Sequence, residues 1–128
     1  MYTRFETPEL DARGRRVGVF ALANGLARAG RLASDEWGVW RAGNDWFDHA
    51  YPHPPADAYS DPRAAAWFGP AAGHLVAAVR PYLLLLARHG VACRRVETHD
   101  PGRIVFSDAV QVVAVPRDAD GVDRRRPQ

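Results

Sequence analysis

The chain contains no lysine; all 17 of its basic residues are arginine. Few groups therefore titrate between pH 7 and 9, and a formal charge of only +2 suffices to lift the sequence pI to 9.1. Up to Pro116 the 13 arginines exceed the 12 acids by one. A nearly neutral body sets up no large field of one sign to gather a polyanion. Cysteine is almost absent as well: Cys93 stands alone, which excludes an internal disulfide. The opening MYTRFETPEL is charged and has no apolar h-region, so no secretory leader and a cytoplasmic location are expected. Long hydrophobic runs are also missing. Leu83 to Leu86 lies between Arg80 and Arg88, far short of the roughly 20 apolar residues that span a bilayer, and no membrane partner is expected.

What remains is ordinary globular material. The 128 residues are 47% hydrophobic and 25% charged, enough for one domain to bury a core without metal or disulfide. The domain is expected over residues 1–116. The charged segment 117–128 has no periodicity and is expected to be a disordered tail.

The pattern along the chain predicts an α+β fold. Residues 2–7 alternate like a short strand that Pro8 ends. Val17 to Ala29 reads as a helix stopped by Gly30. A second helix is expected from Ser34, as N-cap, to Tyr51, with Asp35 and Glu36 in a first turn that favours acids. Trp40, Phe47 and Tyr51 fall on one of its faces, while Trp37 and Trp46 project about 180° apart at ~100° per residue. His53 to Pro62 reads as a loop. Ala64 to Phe68 is a strand or the lead-in to a helix. A helix then runs from Pro70 to His89, kinked at Pro81, which removes a hydrogen bond and crowds the preceding turn. From Gly90 to Pro116, β-branched runs are broken at Asp100-Pro101-Gly102 and at Ser107-Asp108, which predicts three antiparallel strands joined as hairpins. If Ala64–Phe68 is a strand, it forms a β-α-β unit with the strand near Val91. The expected class is thus N-terminal helices, one kinked helix after Pro70, and a small, mostly antiparallel sheet with C-terminal β-hairpins, the helices on one face.

Gly18-Val19-Phe20, Trp46-Phe47, Trp67-Phe68, His89-Gly90-Val91 and the run from Pro101 to Pro116 resemble a group of small, uncharacterised bacterial and phage-associated proteins. The similarity spreads over residues 4–116. It implies a whole-chain domain and carries over no activity, cofactor or functional residue.

Four sets of residues are candidates for function. Trp37, Arg41, Trp46 and Tyr51 on the second helix are the expected contact residues of a non-enzymatic binding or adaptor domain. Large aromatics rimmed by arginine are common at interfaces. Its partner would be a protein or a small ligand, met on this helix and the loop 52–62. Arg94, Arg95 and Arg103 are the alternative, a nucleic-acid contact through guanidinium and phosphate. Arg94 and Arg95 face opposite sides of a strand, so only one can join Arg103 on one surface. His49 and His53, with Asp48 just before them, sit at metal-ligand spacing, but Pro52 interrupts the helix they would need, and a third ligand must come from His74 or His99. A small hydrolase using His49, His53 or His99 is the remaining class; Asp100 follows His99 but points to the other face of a strand. Cys93 lies beside Arg94 and Arg95, yet a free cysteine in a strand is expected to be a buried hydrophobe rather than a nucleophile. No cofactor is expected.

Overall fold

The computed structural model describes residues 1–117 and the backbone of 126–127. Most of the expected tail therefore lies outside the described residues. Within it, Arg117 pairs with Asp100 at 3.1 Å, and Arg126–Pro127 runs as a short strand.

Helices and sheet are both formed early and late in the chain, as the α+β pattern requires. Strand β1 (Tyr2–Glu6) leads through an Arg/Gly loop to helix α1 (Val19–Arg28). Gly30 follows in the left-handed region at φ 68°, where a glycine stops a helix without strain. Helix α2 (Ser34–Ala50) starts one residue earlier than its expected cap: Ala33 is the N-cap and Ser34 is already helical. Ala33 has no side-chain acceptor, so the end is closed from the other side, by Glu36, whose carboxylate accepts the Ala33 N–H at 2.9 Å. Pro52 ends the helix. A loop with one 3-10 turn (Ala56–Tyr59) leads to β2 (Ala65–Phe68), which is a strand.

The helix expected from Pro70 to His89 is divided where the proline demanded. α3 (Gly73–Ala78) and α4 (Arg80–Arg88) share Val79 as cap, and Pro81 occupies the first turn of α4, where its missing N–H costs no hydrogen bond. Three strands complete the chain before the tail: β3 (Arg94–Thr98), β4 (Arg103–Ser107) and β5 (Gln111–Val115). With β6 (Arg126–Pro127) the sheet runs in the order β4-β5-β2-β1-β3-β6, every pair antiparallel.

Two expectations about the sheet are corrected. The turn at Ser107-Asp108 does close a hairpin, β4 with β5, and Asp108 Oδ1 accepts the N–H groups of Val110 and Gln111. Asp100-Pro101-Gly102 closes none, because β3 and β4 lie at opposite sides of the sheet. The β-α-β unit exists with one change: β2 and β3 are both antiparallel to β1 and hence parallel to each other, but β1 is inserted between them.

That order forces curvature. Four strand spacings separate β3 from β4, about 19 Å in a flat sheet, whereas the five Cα steps from Thr98 to Arg103 span at most about 18 Å even when fully extended. The sheet curls, and Val96 of β3 meets Trp67 of β2 and Val112 and Ala114 of β5 in one apolar cluster on the face away from the helices. The larger core lies on the other face, where Phe5 and Phe68 meet α1, α2, α3 and α4 through Ala23, Phe47, Leu75, Tyr82 and Leu86.

β1 and β2 are joined at a single register, Thr3 with Phe68. Beyond it they part, and the gap is filled by a side chain: Arg4 Nη1 donates to the Ala66 carbonyl at 2.9 Å. The opening between the two halves of the sheet, roofed by α1 and α2, is where the candidate site lies.

Candidate functional site

A cleft of about 300 Å³ opens between β1, β2, β5, the first turns of α1, the C-terminal half of α2 and the loop that follows it. Helical spacing places its roof. Asn44, Phe47, Asp48 and Tyr51 recur at i, i+3, i+4 and i+7 and share one face. The wall is aromatic: Phe20 and Phe47 meet edge to face at 4.8 Å, Phe47 and Tyr51 at 6.2 Å, and Tyr51 lies tilted over Phe68 at 5.1 Å. Pro52, Pro54 and Tyr59 close one side and Ala66 lies on the floor.

Polar groups are few, and several are tightly held. Arg4 is fixed by three bonds, to Glu6 Oε1 at 2.9 Å, to the Ala66 carbonyl, and to the Arg16 carbonyl at 3.4 Å. Glu6, wholly buried, also lies 3.5 Å from Arg16 Nε. Gly18 leaves the room that the guanidinium needs, since a Cβ there would stand 3.1 Å from Arg4 Nη2. Deeper in, a chain of amides and rings ties three helices together. Tyr82 donates to Asn44 Oδ1 at 2.6 Å, and Asn44 Nδ2 and Trp40 Nε1 both donate to Asn24 Oδ1, at 3.1 and 2.9 Å. Burial pushes the Tyr82 phenol up to about 12, so it stays a donor.

Gln111 is the most unusual group of the site. It is only 1% exposed, yet it lines the cleft. Its Nε2 donates to the Pro52 carbonyl at 2.5 Å and to Asp108 Oδ2 at 2.9 Å, which fixes the amide's orientation and pins the β4–β5 turn to the loop after α2. Its Oε1 is buried and accepts no hydrogen bond among the described residues. A buried acceptor left in that state costs about 1–3 kcal/mol. Tyr51 and Tyr59 stand nearby, and the hydroxyl of neither makes a hydrogen bond among the described residues. Burial raises both phenols above the ordinary tyrosine value, with Arg4 acting the other way on each.

The sequence-predicted residues scatter around this cleft. Tyr51 forms part of it. Trp37, Arg41 and Trp46 do not, and they do not share one surface. Trp37 is 48% exposed and leans on Trp40 at 5.6 Å; Arg41 lies over the Trp40 ring at 5.0 Å and reaches Asp45 at 3.4 Å. Trp46 is 45% exposed and set edge-on to Phe47. Arg94 and Arg95 are on β3, where Arg95 is bound to Glu97 at 2.7 Å; Arg103 is on β4, at the far end of the strand order. The helix stops at Ala50, so His53 leaves the helical spacing with His49 as Pro52 implied. His49 Nδ1 lies 2.9 Å from the Asp45 carbonyl, and His53 pairs with Asp48 at 3.3 Å at the mouth of the cleft. Among the described residues no three His, Cys, Asp or Glu side chains come close enough to hold a metal. His99 is exposed beyond the end of β3. Cys93 sits just before β3, half-buried, and burial pushes its thiol up to about 11, away from the reactive thiolate.

Sequence reasoning passed over Arg4, Asn24, Tyr59 and Gln111. Two of them carried a signal: Asn24 interrupts the apolar run of α1, and Gln111 interrupts that of β5. A polar residue inside an apolar element either finds a partner or faces a cavity.

No protein family, curated protein or solved structure matches the chain. Among the described residues no helix is long and apolar enough to cross a membrane.

Proposed function

We propose that this is a binding domain whose ligand is a small organic molecule held in the cleft beneath α2 and the loop after it. One observation carries the reading. An aromatic-walled cavity is lined by Gln111, whose buried Oε1 accepts no hydrogen bond among the described residues. Ligand pockets have this composition, mostly apolar with a few fixed polar groups that set orientation. The reading keeps the expected binding class and the expected region, α2 with the loop 52–62, and moves the contact from the exposed tryptophans to the concave side. Tyr51 belongs to both versions. The arginine alternative draws no comparable support, since Arg94 and Arg95 lie on β3, which does not pair with the β4 that carries Arg103, and Arg95 is already paired with Glu97. The resemblance to small phage-associated proteins adds no ligand.

The test is a fragment screen by nuclear magnetic resonance on the full chain. Binding is expected to shift the side-chain amide signals of Asn24, Asn44 and Gln111 and to leave the indole signals of Trp37 and Trp46 in place. Ala66→Leu, which fills the floor, should abolish those shifts. Hits that move the Trp37 or Trp46 indoles and survive Ala66→Leu would return the site to the outer face of α2.

A further inference from the structure

One indole fixes the orientation of the amides in the cleft. Trp40 Nε1–H can only donate, so the atom it meets at 2.9 Å must be Asn24 Oδ1, and the Asn24 amide has one orientation. Asn44 must then turn its Nδ2 to that same oxygen, at 3.1 Å, and its own Oδ1 to the Tyr82 hydroxyl, at 2.6 Å. Both lone pairs of Asn24 Oδ1 are used in this way. Asn24 Nδ2 keeps its hydrogens: it makes no hydrogen bond among the described residues, and it is not closed off from solvent as Gln111 Oε1 is. Asn24 lies one turn beyond Phe20 on the same face of α1, and both residues line the cleft. An open donor thus accompanies the aromatic wall.

The side-chain acceptors of the cleft are engaged or shut away. Asn24 Oδ1 and Asn44 Oδ1 hold the donors just named, Asp48 pairs with His53 at the mouth, and Gln111 Oε1 is buried. The Tyr51 and Tyr59 hydroxyls can donate or accept and so decide nothing, and Arg4 can only donate. A ligand that offers only N–H groups finds no open side-chain acceptor there. We propose that Asn24 is a specificity-determining residue of the cleft, its Nδ2 donating to a carbonyl or carboxylate oxygen carried on a flat apolar ligand. The neutral carbonyl and the carboxylate share the acceptor that this contact reads.

This assignment rests on the cleft being the binding site, and one substitution separates the two ideas. Asn24→Asp keeps an oxygen against Trp40 and Asn44 and puts a second oxygen where Nδ2 stood. The network is retained, and the open group changes from donor to acceptor. Benzamide, benzoate and benzylamine are titrated into the full chain and into the variant by nuclear magnetic resonance. In the wild type, benzamide and benzoate are expected to bind about tenfold tighter than benzylamine and to move the Asn24 side-chain amide protons downfield. In Asn24→Asp the order is expected to reverse, with benzylamine the tightest of the three. Should the variant not fold, the wild-type order and the Asn24 shift decide by themselves. Benzylamine binding the wild type as tightly as benzamide, an unmoved Asn24 amide, or an order that Asn24→Asp leaves unchanged overturns the assignment to Asn24, while shifts that Ala66→Leu abolishes keep the cleft. Shifts that survive Ala66→Leu overturn both, as does failure of all three probes to bind.

Discussion

Trp37 and Trp67 are the same side chain in opposite surroundings. Trp67 is 1% exposed and fills the second apolar cluster with Val96, Val112 and Ala114, whereas Trp37 is 48% exposed on α2. Trp67→Ala is expected to cost about 3–5 kcal/mol, the loss of a large buried ring plus the cavity it leaves. Trp37→Ala is expected to stay within about 1 kcal/mol. Urea titrations of the two variants measure the contrast, and a comparable loss for both would refute the exposed placement of Trp37. Gly102 is a second position where one atom decides. It sits at φ 122°, and a Cβ there would run into the Val115 carbonyl. Gly102→Ala is therefore expected to lower stability by more than about 1 kcal/mol, because both backbone strain and a clash oppose it. Of these residues only the turn at Gly102 was legible in the sequence, through Asp100-Pro101-Gly102. The fate of each tryptophan depended on which strand or helix came to lie opposite.

The elements are held to each other by a small number of buried polar contacts. Glu36, at the start of α2, is nearly buried and accepts both the Ala33 N–H and His89 Nε2, the latter at 3.0 Å, with Arg88 at 3.6 Å. One carboxylate thus closes a helix end and fastens it to the end of α4. The Ala33 N–H, first, and then His89 and Arg88 hold Glu36 below its ordinary value of 4.5, against the opposing effect of burial. A carboxylate whose pKa is lowered by folding adds stability that is complete above its unfolded value and is lost as pH falls through the lower folded one. The wild type should therefore exceed Glu36→Gln in stability at pH 6, and the gap should narrow as pH falls below 4.5. Denaturant midpoints across that range give the answer; a gap independent of pH would mean that the ionised carboxylate adds nothing. The acids in the first turn of α2 could be read from the sequence as favourable to a helix start. That Glu36 rather than Ser34 closes the end, and that His89 meets it 53 positions away, could not.

At the scale of the whole molecule, the two apolar clusters lie on opposite faces of one curled sheet and share β1 and β2. Neither face can be exposed without unpairing strands that the other uses. Unfolding is expected to be a single transition, with tryptophan fluorescence and far-ultraviolet circular dichroism giving the same midpoint. Two separate midpoints would show that the halves β4-β5-β2 and β1-β3-β6, joined at one register, come apart independently. The same weak joint creates the cleft, since Arg4 stands where strand pairing stops.

The sequence alone determined what depends on neighbours in the chain. Hydrophobic period, proline and glycine positions placed α1, α2, the interrupted helix at Pro81, the strands β1, β3, β4 and β5 and the Ser107-Asp108 turn, and with them the α+β class, while β2 was left open between strand and helix. These signals act over a few residues, and nothing distant overrode them. Strand order was decided only by tertiary structure: β1 inserts between β2 and β3, and the link at Asp100-Pro101-Gly102 crosses a curled sheet instead of closing a hairpin. Register and order minimise exposed apolar area over the whole sheet, a quantity no local window contains. The candidate site belongs to that second kind. Arg4, Asn24, Tyr51, Tyr59 and Gln111 come from five separate segments, and only the curvature that buries Trp67 and opens the sheet beside Arg4 brings them to one cavity.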